Sequence, residues 1–475
     1  SNASAANKAF IMNRIGDVGF LIAMMAMVAA FNSTTFDDVN AGVAGASQGT
    51  ATVIGIFLLV AACAKSAQFP LQAWLGDAMA GPTPVSALIH AATMVTAGVY
   101  LIVRSGTIFI YAPIAMACVA VVGLITLILG ALIGSFKDDI KKALAASTMS
   151  QLGYMMLGAG LGPIGWAFAI FHLLTHGFFK SLLFLGAGSV MHGMNDQVNM
   201  RRFGGLRKFM VVTWITFMMG WLAILGVPPF SGYWSKDHII EAAFSTSTFA
   251  GADAPWAAWV FGSVAVLGAA MTAFYMSRMF FMTFSGKARW TSDVDGGAVH
   301  PHESKPIMTV PMIILAVFAV GLGGVLSINN VFTTWLTPAI GPVDHAEPVL
   351  SAIWIQIITL VLVLIAAAFA WVKFGKEAVP KAAPYGNAFS RAARNDFYQD
   401  EINEVIAVAP TTAAVEGVTA VDRYGIDGGI NGLGRLSVWT GKVIAWTETG
   451  YLRSYAGYML GGVVVIVAIV LGFRL

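Results

Sequence analysis

Charged residues are scarce in this chain of 475 residues. Only 11% of the residues are charged, whereas 57% are hydrophobic, and the formal net charge is +3. Soluble domains carry about 25% charged residues, so the deficit argues against a water-soluble fold. Apolar runs of about 20 residues, the length that crosses a bilayer, recur along the whole sequence. The composition therefore predicts an all-α protein that crosses the membrane many times.

Motifs for cofactors and nucleic acids are also missing. The two cysteines, Cys63 and Cys118, lie in apolar runs and form neither a disulfide framework nor a CxxC motif. The sequence has no P-loop, and no glycine-rich dinucleotide fingerprint lies between a strand and a helix. It also has no basic cluster interleaved with aromatic residues, the pattern typical of nucleic-acid binding. We therefore expect no metal or cofactor within this chain and no nucleic-acid partner.

Apolar periodicity predicts eleven membrane-spanning segments, two of them interrupted. They lie near residues 9–31, 51–79, 83–104, 108–134, 139–160, 164–192, 211–245, 256–284, 306–328, 350–373 and 453–475. The segment at 51–79 breaks at Pro70, and the segment at 211–245 breaks at Pro228 and Pro229. Proline removes a backbone donor and clashes with the preceding turn. Because discontinuous helices often mark ion sites in transporters, both breaks are candidate functional positions.

The basic residues of the loops predict an orientation. If each interrupted segment crosses once, the basic clusters near 137–142, 201–208, 287–305 and 373–394 fall on the same side, and Arg104 is the exception. The positive-inside rule makes that side cytoplasmic.

The stretch from 395 to 450 differs in character from the segments before it. It is too polar to span the membrane and too apolar to be a disordered linker. The pattern predicts amphipathic helices that lie along the cytoplasmic membrane face or against a partner. The last segment, 451–475, then anchors the chain in the membrane.

Two lysines lie beside the proline breaks. Lys65 lies deep in an apolar run, five residues before Pro70, and Lys236 follows the second break. A charge inside a bilayer costs about 3 kcal/mol or more, so a functional role is expected. The alternatives are a Lys65 that snorkels to the interface and a Lys236 that pairs with Asp237 in an ordinary loop. Lysine before one break and after the other, in segments of opposite direction, is typical of an inverted repeat.

Imidazoles and a third lysine also lie inside apolar segments. His172, His176 and Lys180 are four residues apart and share one helix face, and His90 lies in the middle of another segment. Imidazole passes protons through either nitrogen near neutral pH, so the row predicts a proton path completed by water. A single buried histidine is equally well explained as a hydrogen-bonding residue. Zinc or haem is disfavoured because no cysteine or carboxylate lies near the row to complete a ligand set.

The first segment contains one clear carboxylate. Asp17 follows Arg14 by one turn, and it would stabilise the charged form of Lys65 if the two lay close together. A local pair between Arg14 and Asp17 is the equally good alternative. Asp237 and Lys141 complete the candidate charge partners.

Several of these residues lie in long motifs. The motifs are KSAQFPLQAWL at 65–75, GPTPVSALIHAATM at 81–94, STMSQLGY at 147–154 and HLLTHGFFK at 172–180. They closely resemble the antiporter-like, proton-translocating membrane subunits of NADH-quinone oxidoreductase, respiratory complex I. The tail sequence DRYGIDG at 422–428 is similar to the lateral-helix region of the distal member of that set. The resemblance covers essentially the whole chain.

The resemblance implies an antiporter-like fold with two broken transmembrane helices in inverted repeats and a C-terminal lateral amphipathic helix. It implies that Lys65 is the broken-helix lysine of the first half-channel and that Lys236 is the exit-side lysine of the second. The residues implied for the central polar axis are His90, His172, His176 and Lys180. In this family the first lysine is paired with a glutamate on an upstream helix, so we expect that further N-terminal spans precede these residues.

The resemblance also implies that proton transfer and redox chemistry take place in different subunits. We expect this chain to move protons, while FMN, iron–sulfur clusters and quinone are bound by other subunits. The expected partners are the other membrane subunits, especially neighbouring antiporter-like subunits contacted by the lateral helix, and lipids of a bacterial plasma membrane. The alternatives are the large subunit of a multisubunit Na⁺/H⁺ antiporter and, in another class, a structural clamp of the membrane arm.

The predicted organisation follows the two halves. Residues 1–135 hold the remainder of the first half and the start of the second, and 108–284 hold the second half. Additional transmembrane helices occupy 306–373. The lateral region occupies 395–450, and the membrane anchor occupies 451–475.

Overall fold

The computed structural model describes residues 2–290, 299–344, 346–376 and 378–473. The chain divides into two compact units, Ser1–Phe397 and Tyr398–Leu475. Residues 474 and 475 of the predicted anchor lie outside the described residues.

The first unit is helical, with one short antiparallel hairpin at Thr248–Phe249 and Ala252–Asp253. Its helices are α1 (Asn2–Phe31), α2 (Phe36–Val43), α3 (Gln48–Lys65), α4 (Trp74–Asp77), α5 (Thr83–Ala91), α6 (Ala97–Arg104), α7 (Gly106–Ile110), α8 (Pro113–Phe136), α9 (Ile140–Gly160), α10 (Trp166–Gly193), α11 (Val211–Leu225), α12 (Ser231–Ser245), α13 (Pro255–Phe284), α14 (Pro306–Ser327), α15 (Val331–Ile340), α16 (Ala352–Ala370) and α17 (Ala388–Arg394). Ten helices of the described residues, in the two units together, are long and apolar enough to cross a membrane. The predicted all-α, multi-pass membrane class is confirmed.

Helix α9 lies at the centre of the first unit and is surrounded by protein. All of its residues except Lys142 are buried. Because α9 does not face lipid, it carries polar side chains that a lipid-facing helix would not, namely Ser147, Thr148, Ser150 and Gln151. This polar content brings hydrogen-bonding groups to the middle of the bundle.

Small residues allow α8 and α9 to pack closely. A Cβ atom added at Gly153 of α9 would collide with the backbone of Leu127 on α8, and one at Gly130 of α8 would collide with the backbone of Ser150. Close backbone approach at small residues is a common basis of helix association in membranes.

The first proline break separates α3 from α4. Helix α3 ends at Lys65, and the chain is not helical again until Trp74. The indole Nε1 of Trp74 donates to the carbonyl oxygen of Ala64 at 3.0 Å. An unpaired carbonyl inside a membrane is costly, so this indole satisfies one carbonyl that the end of α3 exposes.

The second break separates α11 from α12. Helix α11 ends at Leu225, and Gly226 adopts a left-handed conformation with φ of 79°. Glycine occupies this region without a Cβ penalty, which is why it commonly ends helices. Helix α12 starts at Ser231 and carries Lys236 in its second turn.

The segment predicted near 83–104 coincides with Thr83–Arg104, a stretch long and apolar enough to cross a membrane. The segment near 83–104 consists of α5 and α6, with a 3₁₀ turn at Met94–Thr96 between them. Thr93 and Thr96 donate their hydroxyls to backbone carbonyls there, the local competition that weakens helices at threonine. Helix α15, which follows a turn with left-handed Asn329 and Asn330, was also not predicted.

The second unit contains α18 (Gln399–Asn403), α19 (Ala409–Ala420), α20 (Gly428–Ala445) and α21 (Leu452–Gly472). Wider π-helical turns, Glu404–Val408 and Val421–Asp427, join the first three helices. The stretch Asp396–Ala445 contains a window apolar enough to cross a membrane, so it is more apolar than the sequence analysis indicated. Large apolar side chains along it are exposed, including Ile430, Leu433 and Leu436.

Candidate proton pathway

Helix α10 carries the central row of protonatable side chains. His172, His176 and Lys180 each have 0% exposure. Their spacing of four residues stacks them along one face, and the ring centroids of the two histidines are 6.2 Å apart. The helix therefore presents three ionisable groups in sequence within a protein-lined interior.

His172 connects α10 to two other helices. Its Nδ1 lies 2.9 Å from Ser235 Oγ on α12, and its Nε2 lies 3.1 Å from Gln151 Oε1 on α9. Ser235 Oγ also lies 2.8 Å from Thr175 Oγ1. Both imidazole nitrogens of His172 thus lie within hydrogen-bond distance of a polar side chain. The described residues contain no cluster of three His, Cys, Asp or Glu that could hold a metal ion.

Lys236 follows Ser235 on α12 and is fully buried. Its ammonium donates to the carbonyl oxygens of Ile224 at 3.0 Å and Leu225 at 2.9 Å. These are the last two residues of α11, where the negative end of the helix dipole favours a cation. The broken helix therefore provides Lys236 with its binding site across the break.

Asp237 does not pair with Lys236 through a hydrogen bond in the described contacts. Its Oδ1 atom is buried and receives no hydrogen bond from a described residue. The alternative predicted from the sequence was an ion pair between Lys236 and Asp237 in a loop. In the structure Lys236 lies inside α12, and its ammonium donates to backbone carbonyl oxygens. A buried carboxylate oxygen that receives no hydrogen bond is costly, and the charges of Lys236 and His238 act on it from the same helix.

The opposite end of the row meets α9 and α5. The ammonium of Lys180 donates to Ser147 Oγ and lies 5.7 Å from the ring centroid of Phe184. His90 on α5 contacts the same phenyl ring, at 5.2 Å between centroids. Both nitrogens of His90 are buried and make no hydrogen bond to a described residue. The structure therefore brings His90 to the Lys180 end of the row.

His176 lies between the two ends. Its Nδ1 lies 3.3 Å from the carbonyl oxygen of Ala91 on α5, and its Nε2 makes no hydrogen bond to a described residue. Because the carbonyl only accepts, Nδ1 is the protonated nitrogen in this hydrogen bond. Nε2 is then available to receive a proton.

The first break forms a separate ionic site. Lys65 Nζ lies 3.0 Å from Asp17 Oδ1, and Arg14 lies 3.1 Å from Asp17 Oδ2. The two pairings weighed from the sequence therefore occur together. The side chains of Lys65 and Asp17 are 36% and 32% exposed, so this site is more open than the one at Lys236.

Lys141 lies apart from the other candidate residues. Its ammonium donates to the carbonyl oxygens of Met79 and Gly81, both at 2.7 Å. These carbonyls end the short helical segment that follows the first break, and Lys8 binds Asp77 of the same segment at 2.5 Å. Lys141 caps the second part of the broken helix, and Asp139, two residues earlier in the chain, is the acidic residue that interacts with its charge.

A cavity of about 620 Å³ opens beyond the second break, on the side opposite the basic loops. His238 and Glu241 of α12 line it, with His238 Nδ1 3.4 Å from Glu241 Oε2. Asp344 and Glu347 line it from the loop after α15. The sequence analysis did not identify His238 or Glu241, although their position directly after Lys236 was a signal.

The arrangement suits proton transfer between fixed side chains. Two lysines, three histidines and three hydroxyl residues from α5, α9, α10 and α12 lie within a protein-lined interior. Hydroxyl and imidazole groups can both donate and accept a proton, so each can transfer a proton to its neighbour with little movement of the side chain.

Comparisons with known proteins identify the family of this chain. Residues 1–285 match the family described as NADH:quinone oxidoreductase/Mrp antiporter, TM. The chain is 49% identical to NADH-quinone oxidoreductase subunit L of Mycobacterium tuberculosis (strain H37Rv), over 100% of this chain and 73% of that protein. It is 38% identical to NAD(P)H-quinone oxidoreductase subunit 5, organellar chromatophore 1, of Paulinella chromatophora, over 98% of this chain and 74% of that protein.

A solved structure has the same fold. The Mrp complex from Dietzia sp. DQ12-45-1b contains a chain that is 25% identical, with a TM-score of 0.66. The match covers 98% of this chain and 46% of that chain, so this chain spans less than half of its length. The family match and the two relatives show that this chain belongs to the NADH:quinone oxidoreductase/Mrp antiporter transmembrane family, among the antiporter-like membrane subunits of NADH-quinone oxidoreductase.

Proposed function

We propose that this chain translocates protons across a bacterial plasma membrane as a subunit of NADH-quinone oxidoreductase, coupled to quinone reduction elsewhere in the complex. The observation that carries the proposal is the buried connection from α10 to the second break, through His172, Ser235 and Lys236. The 49% identity to a protein named NADH-quinone oxidoreductase subunit L supports the redox partner.

In this proposal the proton moves along the α10 row toward α12. Lys180 exchanges a proton with His90 and His176 through intervening water, and His176 passes it to His172. His172 then delivers the proton by way of the Ser235 hydroxyl, which donates its own proton as it accepts another. Each step moves one proton between two groups and changes no covalent bond between heavy atoms.

Lys236 is the last residue inside the membrane that binds the proton in the proposed path. The two carbonyls of α11 stabilise its charged form, and the unpaired Oδ1 of Asp237 lies beside the break. From there the proton leaves through the cavity lined by His238 and Glu241. The acidic lining supports this exit because carboxylates attract protons and release them to bulk water.

The first break is proposed to act as a charge switch. Asp17 stabilises the ammonium of Lys65, and a movement of Asp17 toward Arg14 alone would release the proton of Lys65. Lys141 holds the second part of the broken helix in position through Met79 and Gly81. These two breaks, His90 and the row on α10 together form the proposed path.

The proposal assigns redox chemistry to other subunits, which bind FMN, iron–sulfur clusters and quinone. It also assigns a docking role to Tyr398–Leu475, whose helices would lie along neighbouring antiporter-like subunits. The exposed apolar side chains of α20 support this role, because contiguous exposed apolar surface is typical of interaction sites.

The test uses the assembled complex in proteoliposomes, with Lys236→Ala in this chain. We expect fewer protons pumped per NADH oxidised, because the ammonium that occupies the end of α11 is lost. The matched control is Lys142→Ala, which removes an exposed lysine from the cytoplasmic end of α9. An unchanged proton-to-NADH ratio in Lys236→Ala and in Lys65→Ala would refute the proton path and leave a structural clamp. Sodium-dependent proton exchange without redox activity would instead support the antiporter function.

A further inference from the structure

An apolar groove lies between α11 and α14, away from the proton path. Its volume is about 580 Å³. The lining residues include Ile215, Met219, Ile313, Val317, Val320 and Gly321. Val317 and Ile313 expose 65% and 47% of their surface, so the groove faces outward from the bundle, where the hydrocarbon of the bilayer lies.

The groove begins on the side of the membrane next to the basic loops. Helices α11 and α14 both start on that side, at Val211 and Pro306. The groove residues of α11 lie within its first nine positions, and those of α14 begin at the eighth position. At a rise of about 1.5 Å per residue, the groove extends from the first turn of α11 to about 22 Å along α14, so it lies within the roughly 30 Å hydrocarbon layer and opens toward the basic loops.

Three cations lie where these two helices begin. Arg207 and Lys208 precede α11, and Lys305 is the residue before α14. All three side chains are exposed. None of them forms an ion pair with a described residue, unlike Lys137 or Arg278, which bind acidic residues on the same side of the bundle.

Hydrogen bonds hold the two helix starts together. The carboxylate of Glu303 accepts from the backbone N–H groups of Val212 at 2.7 Å and Thr213 at 3.2 Å. Ser304 Oγ and Thr213 Oγ1 both lie within 2.7 Å of Ser189 Oγ. The loop that carries Lys305 is therefore fixed against the first turn of α11. The carboxylate of Glu303 is bound at the helix N-terminus and forms no ion pair with Arg207, Lys208 or Lys305 among the described residues.

An aromatic pair completes the interface at this level. Phe209, between the cations and α11, packs edge-on against Trp290 at 5.5 Å between centroids. The Nε1 of Trp290 donates to the carbonyl oxygen of Gly204 at 3.0 Å. Tryptophan with one bonded polar edge and one apolar face is typical of the headgroup level of a membrane.

We infer that this groove binds one anionic phospholipid of the cytoplasmic leaflet. An acyl chain lies against the apolar walls, and the phosphate lies among Arg207, Lys208 and Lys305. Basic residues at a groove between transmembrane helices on the cytoplasmic side are the chemistry that recognises anionic headgroups.

The test uses the complex that contains this chain, purified and depleted of lipid. Dioleoyl phosphatidylglycerol and dioleoyl phosphatidylcholine are titrated separately, and bound lipid is counted by native mass spectrometry alongside the Tm. We expect the wild type to retain phosphatidylglycerol preferentially. The triple change R207Q, K208Q and K305Q should weaken phosphatidylglycerol binding roughly 100-fold, since each cation near a membrane surface contributes about fivefold. K305Q alone should weaken it about fivefold and keeps the test valid if the triple variant does not assemble.

A second variant tests the acyl-chain part of the site. A Cβ atom added at Gly321 meets no atom of a described residue within 4 Å, so Gly321→Leu adds its side chain to the groove wall and should reduce binding of either lipid there. The controls are the double change K142Q and K287Q for charge, and Gly457→Leu, which also meets no atom within 4 Å. Equal binding of both lipids by the wild type, or unchanged lipid binding in the triple variant, would overturn the inference. So would a Gly321→Leu complex that loses a neighbouring subunit but retains its lipid, because the groove would then hold a protein helix.

Discussion

Replacing Ser235 with alanine removes the hydroxyl that joins α10 to α12. In the structure Ser235 Oγ lies 2.9 Å from His172 Nδ1 and 2.8 Å from Thr175 Oγ1. The variant leaves Nδ1 of a fully buried imidazole without that partner. The same change interrupts the proposed path one residue before Lys236, without altering any charge.

The magnitude follows from the cost of an unsatisfied buried polar group. Leaving one such group unpaired costs about 1–3 kcal/mol. If this cost appears in the barrier for proton transfer, the rate through this chain falls by a factor of about 5 to 150, because each 1.36 kcal/mol is tenfold. A water molecule that replaces the hydroxyl gives the lower end of this range.

The assay is the proton-to-NADH ratio of the reconstituted complex, with NADH oxidation measured in parallel. Ser235→Thr keeps the hydroxyl and should restore the ratio. The matched control is Ser135→Ala, because Ser135 Oγ donates within α8, to the carbonyl oxygen of Ala131 at 2.8 Å. The reasoning would be wrong if Ser235→Ala and Ser135→Ala pumped protons equally well, or if Ser235→Thr were as defective as alanine.

Two further predictions concern the first break. Asp17→Asn removes a partly exposed ion pair with Lys65 and should change the stability of the complex by less than about 1 kcal/mol. It should nevertheless lower the number of protons pumped per NADH oxidised. A normal proton-to-NADH ratio would contradict the proposed charge switch. Trp74→Phe keeps an aromatic ring, although a smaller one, and loses the hydrogen bond to the Ala64 carbonyl. It should destabilise the complex by at least about 1–3 kcal/mol, measured as a lower Tm. An unchanged Tm would show that another group satisfies this carbonyl.

Local patterns made much of this site predictable. The spacing of His172, His176 and Lys180 within one apolar run defines a helix face, because side chains four residues apart stack in any α-helix. The prolines near residues 70 and 228 mark the ends of α3 and α11 for an equally local reason, since proline donates no hydrogen bond. These features need only the geometry of one helix.

Local patterns also misled in places. Hydropathy identifies 83–104 as one span, and the structure keeps this span but divides it by a 3₁₀ turn between α5 and α6, where threonine hydroxyls donate to backbone carbonyls. The stretch Asp396–Ala445 contains scattered charges that hide a sufficiently apolar window. A hydropathy average carries no information on the hydrogen bonds that divide a helix. Scattered charges in a long stretch also draw attention away from an apolar window within it.

The sequence by itself determined the membrane class, the two interrupted helices and the row of protonatable groups on α10. Only the tertiary structure decided which groups meet: Ser235 at His172 across 63 residues, Asp17 at Lys65, and the α11 carbonyls at Lys236. Contacts between helices depend on how the helices cross and on which small residues allow close approach. A single sequence fixes the face that each helix presents, and the packing of the bundle then selects the partner of each polar side chain.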